Sequence, residues 1–161
     1  MQHPFWGDVQ EDWVGFSGTV VFAHPFFEAE VPVFLGEENA EDPAEDGQPP
    51  TTAQLDDFAA TYQEFLAQLP KHLAALQQQT FDYYTSYYAG FYEDTARSGE
   101  LPLGIRTVAQ HNAHIRELLY LRVTADGTLR IPIQYALDPE HGLEAKFVHG
   151  KLVKLGGIDD T

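Results

Sequence analysis

The chain has 161 residues, of which 43% are hydrophobic and 13% aromatic, enough to build the core of one domain. It contains no cysteine, which excludes disulfides, thiolate chemistry and Cys-ligated zinc. Its 25 carboxylates against 9 basic side chains give a net charge of −16, which disfavours nucleic acid and anionic membrane and favours cations and basic protein surfaces.

The charge is unevenly divided. The first seventy residues hold fourteen carboxylates and neither Lys nor Arg, a charge of −14, while nine bases against eleven acids leave −2 for the remainder. The opening Met1-Gln2-His3-Pro4-Phe5-Trp6 lacks the basic and apolar regions of a signal peptide, and no run approaches the ~18 apolar residues of a membrane span. A soluble, cytoplasmic protein is expected.

Residues 13–23 and 26–35 read as two strands. Phe16, Val20 and Phe22 share one parity in the first; in the second, Phe27, Ala29, Val31 and Val33 form one face and Glu28 and Glu30 the other. His24-Pro25 suits a turn between them. Residues 36–50 then carry Glu37, Glu38, Glu41, Asp42, Glu45 and Asp46 among small residues and prolines, with too little apolar surface to offset the entropy of ordering. This is expected to be a flexible acidic loop, either a solvated connector or a docking element for a basic partner.

A helix is predicted from Thr51 or Thr52. Thr51 and Gln54 have capping-box spacing, Asp56 and Asp57 suit the helix dipole, and Leu55, Phe58, Ala59, Tyr62, Phe65, Leu66 and Leu69 share a face. Pro70 ends this helix and can open the next, predicted to about residue 94 with a stripe of Leu69, Leu73, Leu76, Thr80, Tyr84, Tyr87 and Phe91. Residues 99–104 form a loop, and 107–114 fit one or two helical turns. The period then becomes two: strands at 119–124 and 128–135 flank Asp126-Gly127, and strands at 143–148 and 151–155 flank His149-Gly150, with a turn at 138–142 between the pairs. The order implies one α+β domain over residues 1–161. Its antiparallel sheet of about six strands, two N-terminal and four C-terminal, would pack on an α-helical hairpin.

Three groups of residues could carry chemistry. Asp138, Glu140 and His141, followed by Gly142, crowd two carboxylates and an imidazole into one turn, as a metal or proton-sharing site would require. The competing reading is a turn in which Asp138 and His141 bond turn amides and Gly142 supplies positive φ. His111 and His114 lie three apart and share a face if helical, which adds them to Glu140 and His141 as metal candidates. In the ring-rich run 81–92, Tyr83 and Tyr88 fall at the edge of the core stripe and Tyr92 further round, as tyrosines at binding surfaces do. Ser17, Ser86 and Ser98 have no neighbour that would activate a hydroxyl. No phosphate loop, dinucleotide fingerprint or G-x-S-x-G elbow is found. No cofactor is expected.

The two-stranded, Trp-containing opening, Gln54 heading the first helix, the Tyr83-Tyr84 region and the closing Asp138-Pro139-Glu140-His141-Gly142-Leu143 together resemble a family of small uncharacterised bacterial proteins. That family has a C-terminal Asp-x-Glu-His-Gly-Leu signature; its usual preceding tryptophan is Leu137 here. The resemblance implies an α+β fold and transfers no activity onto Glu140 or His141.

Charge and motifs together lean away from an enzyme and towards an interaction protein, of immunity-inhibitor type, that binds a basic partner through the acidic segment. Two readings stand beside it. One is a metal-binding protein or metal-dependent enzyme using the Asp138 turn; the other is a small-ligand module at the Tyr-rich helix.

Overall fold

A computed structural model describes residues 1–38 and 48–161. The strands are β1 (Gln2–His3), β2 (Gly7–Asp8), β3 (Gln10–Glu11), β4 (Phe16–Phe22) and β5 (Val31–Leu35). Helices follow: α1 (Thr52–Ala67), α2 (Leu69–Tyr87), α3 (Ala89–Tyr92), α4 (Thr95–Ser98) and α5 (Val108–His111), the last running into a 3-10 turn, Asn112–His114. The chain closes with β6 (Leu121–Thr124), β7 (Thr128–Ile133), β8 (Leu143–Val148) and β9 (Lys151–Gly156). The fold class is α+β, as expected. In the predicted acidic loop, Glu37 and Glu38 fall within the described residues, whereas Glu41, Asp42, Glu45 and Asp46 lie outside them.

β1 and β2 pair alone, and the other seven strands form one sheet in sequence order, β3 to β9. The sheet is mixed where an antiparallel one was expected, because β5 and β6 run parallel. Between them the chain passes through all five helices, and a crossover of that kind returns it in the same direction. From β6 to β9 the predicted meander forms, turning at Asp126-Gly127 and His149-Gly150, all four residues at positive φ.

Phe26 to Glu30 do not form strand. The Phe26 amide is taken by His24 Nδ1 at 3.0 Å, that of Phe27 by the His24 carbonyl at 3.0 Å, and that of Glu28 by the Arg116 carbonyl at 2.9 Å. Amides committed to a turn cannot serve a ladder.

Thr51 and Gln54 make the predicted capping box that starts α1. Leu55, Phe58, Tyr62 and Phe65 of α1, with Leu76 of α2, pack on Val33, Leu121, Val123, Leu129, Ile131, Ala145 and Phe147 of the sheet. Alternation along the strands puts the polar neighbours of these residues on the opposite face. There Arg122 pairs with Arg130, Arg130 with Lys146, and Lys146 with Lys154, a basic row crossing four adjacent strands.

α2 stops short of the predicted end. Tyr88 takes φ −121°, and one further turn, α3, follows. Tyr84 is consequently the last buried residue of the stripe, and Tyr87 and Phe91, expected in the core, face solvent.

Candidate functional site

The Asp138 turn joins α2 to the sheet. One Asp138 oxygen accepts from the His141 amide at 3.2 Å and the other from the Tyr88 hydroxyl at 2.8 Å, while His141 Nδ1 lies 3.0 Å away. Tyr92 donates to the Leu137 carbonyl at 2.6 Å. Gly142 takes φ 62°, and a Cβ there would lie 2.6 Å from Ile158 Cδ1 and 3.0 Å from the Ile133 carbonyl, so only glycine fits. Burial would raise the Asp138 pKa, but hydrogen bonds from Tyr88 and His141 outweigh it and hold the carboxyl below its ordinary value. His141 is raised by its bond to Asp138. Glu140 and His141 are exposed, and the turn is organised as a joint between elements.

His111 is fully buried, with Nε2 2.6 Å from the Tyr135 hydroxyl, and His114 lies 6.2 Å away between ring centres. Among the described residues no three His, Asp or Glu side chains converge as a metal would require, so the candidates Glu140, His141, His111 and His114 are not gathered into one site. Of the three tyrosines singled out, Tyr88 and Tyr92 spend their hydroxyls on the Asp138 turn. Tyr83 lines a groove of about 390 Å³ between α2 and β9.

A third place gathers exposed chemistry that the sequence reading missed. Asp12 Oδ1 accepts from the Val14 amide at 2.7 Å and the Gly15 amide at 3.1 Å, closing a tight turn between β3 and β4. Trp13 at its tip is 90% exposed. Arg122, only 2% exposed, reaches from β6 to fix this tip, donating to the Val14 carbonyl at 3.3 Å and the Gly36 carbonyl at 2.9 Å. Its guanidinium also stacks on Phe34 and Tyr120, at 5.2 and 5.3 Å. Tyr120 donates to Glu38 at 3.1 Å. The arginine thus ties the Asp12 turn to the end of β5, beside a cleft of about 250 Å³ lined by the carboxylates Glu37, Glu38, Glu144 and Asp159 and by Arg122 and Arg130. An Asp with Gly three residues later is a turn signature, and reading it at Asp12-Trp13-Val14-Gly15 would have placed the tryptophan at a loop tip.

Fold and site together define an α+β protein with a helical hairpin on one face of a mixed sheet and an aromatic-tipped acidic edge. The chain belongs to the family described as Domain of unknown function (DUF6985), which it matches over residues 5–161. No curated protein and no solved structure matches it. Among the described residues no helix is long and apolar enough to cross a membrane.

Proposed function

We propose that this is a non-enzymatic interaction protein that captures a basic protein partner through the Trp13 turn and the carboxylates around it. The observation that carries the reading is Trp13, held at 90% exposure on a turn fixed by a buried arginine. A turn whose backbone is already fixed loses little main-chain freedom on binding, and tryptophan is enriched among the residues that dominate interface energies. Exposed Glu11, Asp12, Glu37 and Glu38 flank it, and carboxylates so placed steer and pair with lysines and arginines of a partner. Such a surface suits an immunity-type inhibitor covering the basic active site of a toxic enzyme.

The test is affinity capture with the intact chain and two variants, Trp13→Ala and Glu37→Gln with Glu38→Gln, followed by titration of the captured protein. Trp6 is fully buried, so a blue shift of the exposed tryptophan emission on titration reports Trp13 alone. Basic proteins retained by the wild type should bind Trp13→Ala about 30-fold more weakly, the loss typical of an interface hot spot. Capture of the same proteins at unchanged affinity by both variants overturns the reading.

A further inference from the structure

β9 is the terminal strand of the seven-stranded sheet, and Lys151 to Leu155 make no backbone hydrogen bond beyond the β8 ladder among the described residues. Its outer N–H and C=O groups are therefore open to another strand on either side of the irregularity at Val153, which has no partner in the β8 ladder. α2 forms a wall alongside it, and the groove of about 390 Å³ between them is lined by Asp82, Tyr83 and Tyr87 on the helix side, with Gln79 and Ser86, and by the strand residues 152–155 on the other. Two apolar groups stand out into it, Tyr87 at 72% and Val153 at 55% exposure, with the Tyr83 and Tyr87 rings 4.6 Å apart.

The strand side of the groove is basic, opposite in charge to the Trp13 edge, while the helix wall carries one carboxylate, Asp82. Lys146 and Lys154 face each other across β8 and β9, Lys151 begins β9, and among the described residues none has a carboxylate within ion-pairing distance. Like charges directly opposite on neighbouring strands are unfavourable, and a carboxylate brought between them relieves the repulsion. Two β9 strands from separate copies would instead bring Lys151 and Lys154 of each against the other, which disfavours a second copy of this chain as the occupant. The −14 charge lies in the first seventy residues, and at physiological ionic strength fields are screened over ~8 Å, so the groups at the groove govern what docks here: Lys151 and Lys154 along the strand outnumber Asp82 on the helix wall.

We propose that the β9 edge and its groove take an extended acidic peptide segment of another protein, which adds to the sheet as a further strand. Main-chain bonds to β9 supply the register, an apolar side chain of the segment packs on Tyr87 and Val153, and its carboxylates pair with Lys151 and Lys154. This surface is separate from the Trp13 edge, and neither proposal depends on the other.

The probe is a short capped peptide alternating valine and glutamate, with the same peptide carrying lysine for glutamate as control, titrated into ¹⁵N-labelled protein at physiological salt. Binding should shift the amides of β9 and of Tyr83 to Tyr87, and the control should not bind. Lys151→Glu with Lys154→Glu should weaken binding about tenfold, as two surface ion pairs would. Tyr87→Ala, a change at an exposed position that leaves the core intact, should weaken it independently. Equal binding of both peptides, shifts confined to other strands, or self-association through β9 in sedimentation would each overturn the proposal. Trp13→Ala should leave this binding unchanged, which separates failure here from failure of the basic-partner reading.

Discussion

His111 has no access to water, and its ring is enclosed by Phe81, Tyr84 and Tyr135 at centroid distances of 6.1, 5.4 and 5.5 Å. Burial, with a smaller contribution from His114, lowers its pKa from 6.5 to about 4. His72, stacked on Phe65 at 5.1 Å, is lowered in the same direction, first by burial and then by Lys71. An unfolded histidine takes up its proton near pH 6.5, whereas folded His111 resists until about pH 4. Stability from this residue is therefore complete above pH 6.5 and lost as pH falls towards 4. The loss from His111 alone should reach about 2 kcal/mol by pH 5. Exposed His141, whose pKa is raised by Asp138, contributes with the opposite sign, through a bond that is lost as pH rises. Urea unfolding between pH 7.5 and 4.5 measures the slope, and His111→Phe should flatten it. A variant as pH-sensitive as the wild type would show that the slope arises elsewhere.

Between elements, the Asp138 turn is what ties the end of α2 to the sheet. Asp138→Ala removes the acceptor for the Tyr88 hydroxyl and for the His141 amide, leaving a half-buried phenol without its partner. The expected cost is about 2–3 kcal/mol in urea unfolding, against about 1 kcal/mol for Tyr88→Phe, which deletes one hydroxyl and leaves Asp138 its other donors. Equal losses would mean that Asp138 acts only through Tyr88. The same contact shows what the sequence could and could not disclose. Thr51 with Gln54, Asp126-Gly127, His149-Gly150 and the Asp138–Gly142 turn were all legible, because each is settled by bonds within a few residues. The end of α2 was not, since Tyr88 is held by a carboxylate fifty residues away. Nor was the parallel pairing of β5 with β6, which depends on where the whole helical crossover returns the chain. The strand pattern of residues 13–23 cannot show the Trp13 turn, because that turn is held by Arg122, 108 residues from the Val14 carbonyl it bonds.

For the whole molecule, folding turns the charge imbalance of the sequence into a spatial one. Carboxylates gather around Trp13, and the row Arg122, Arg130, Lys146 and Lys154 crosses the meander, its buried first member and Arg130 meeting Glu37 and Glu38 in one cleft and its lysines lying farther along the row. Only Arg130 of that row has an ion-pair partner among the described residues, Glu144 at 3.0 Å. A chain at −16 repels itself when compact, and the basic row repels itself locally, so added salt relieves both. Melting temperature should thus rise by about 2–5 °C between about 0.02 M and 0.5 M NaCl, read by calorimetry on the free protein. Capture of a basic partner by the Trp13 edge should respond in reverse, since screening removes the steering that speeds encounter and slows association at high salt. The paired signs make the prediction specific. A salt-independent association rate would mean that the acidic edge plays no part in recognition, and a melting temperature that falls with salt would mean that attraction between the two charged regions dominates the fold.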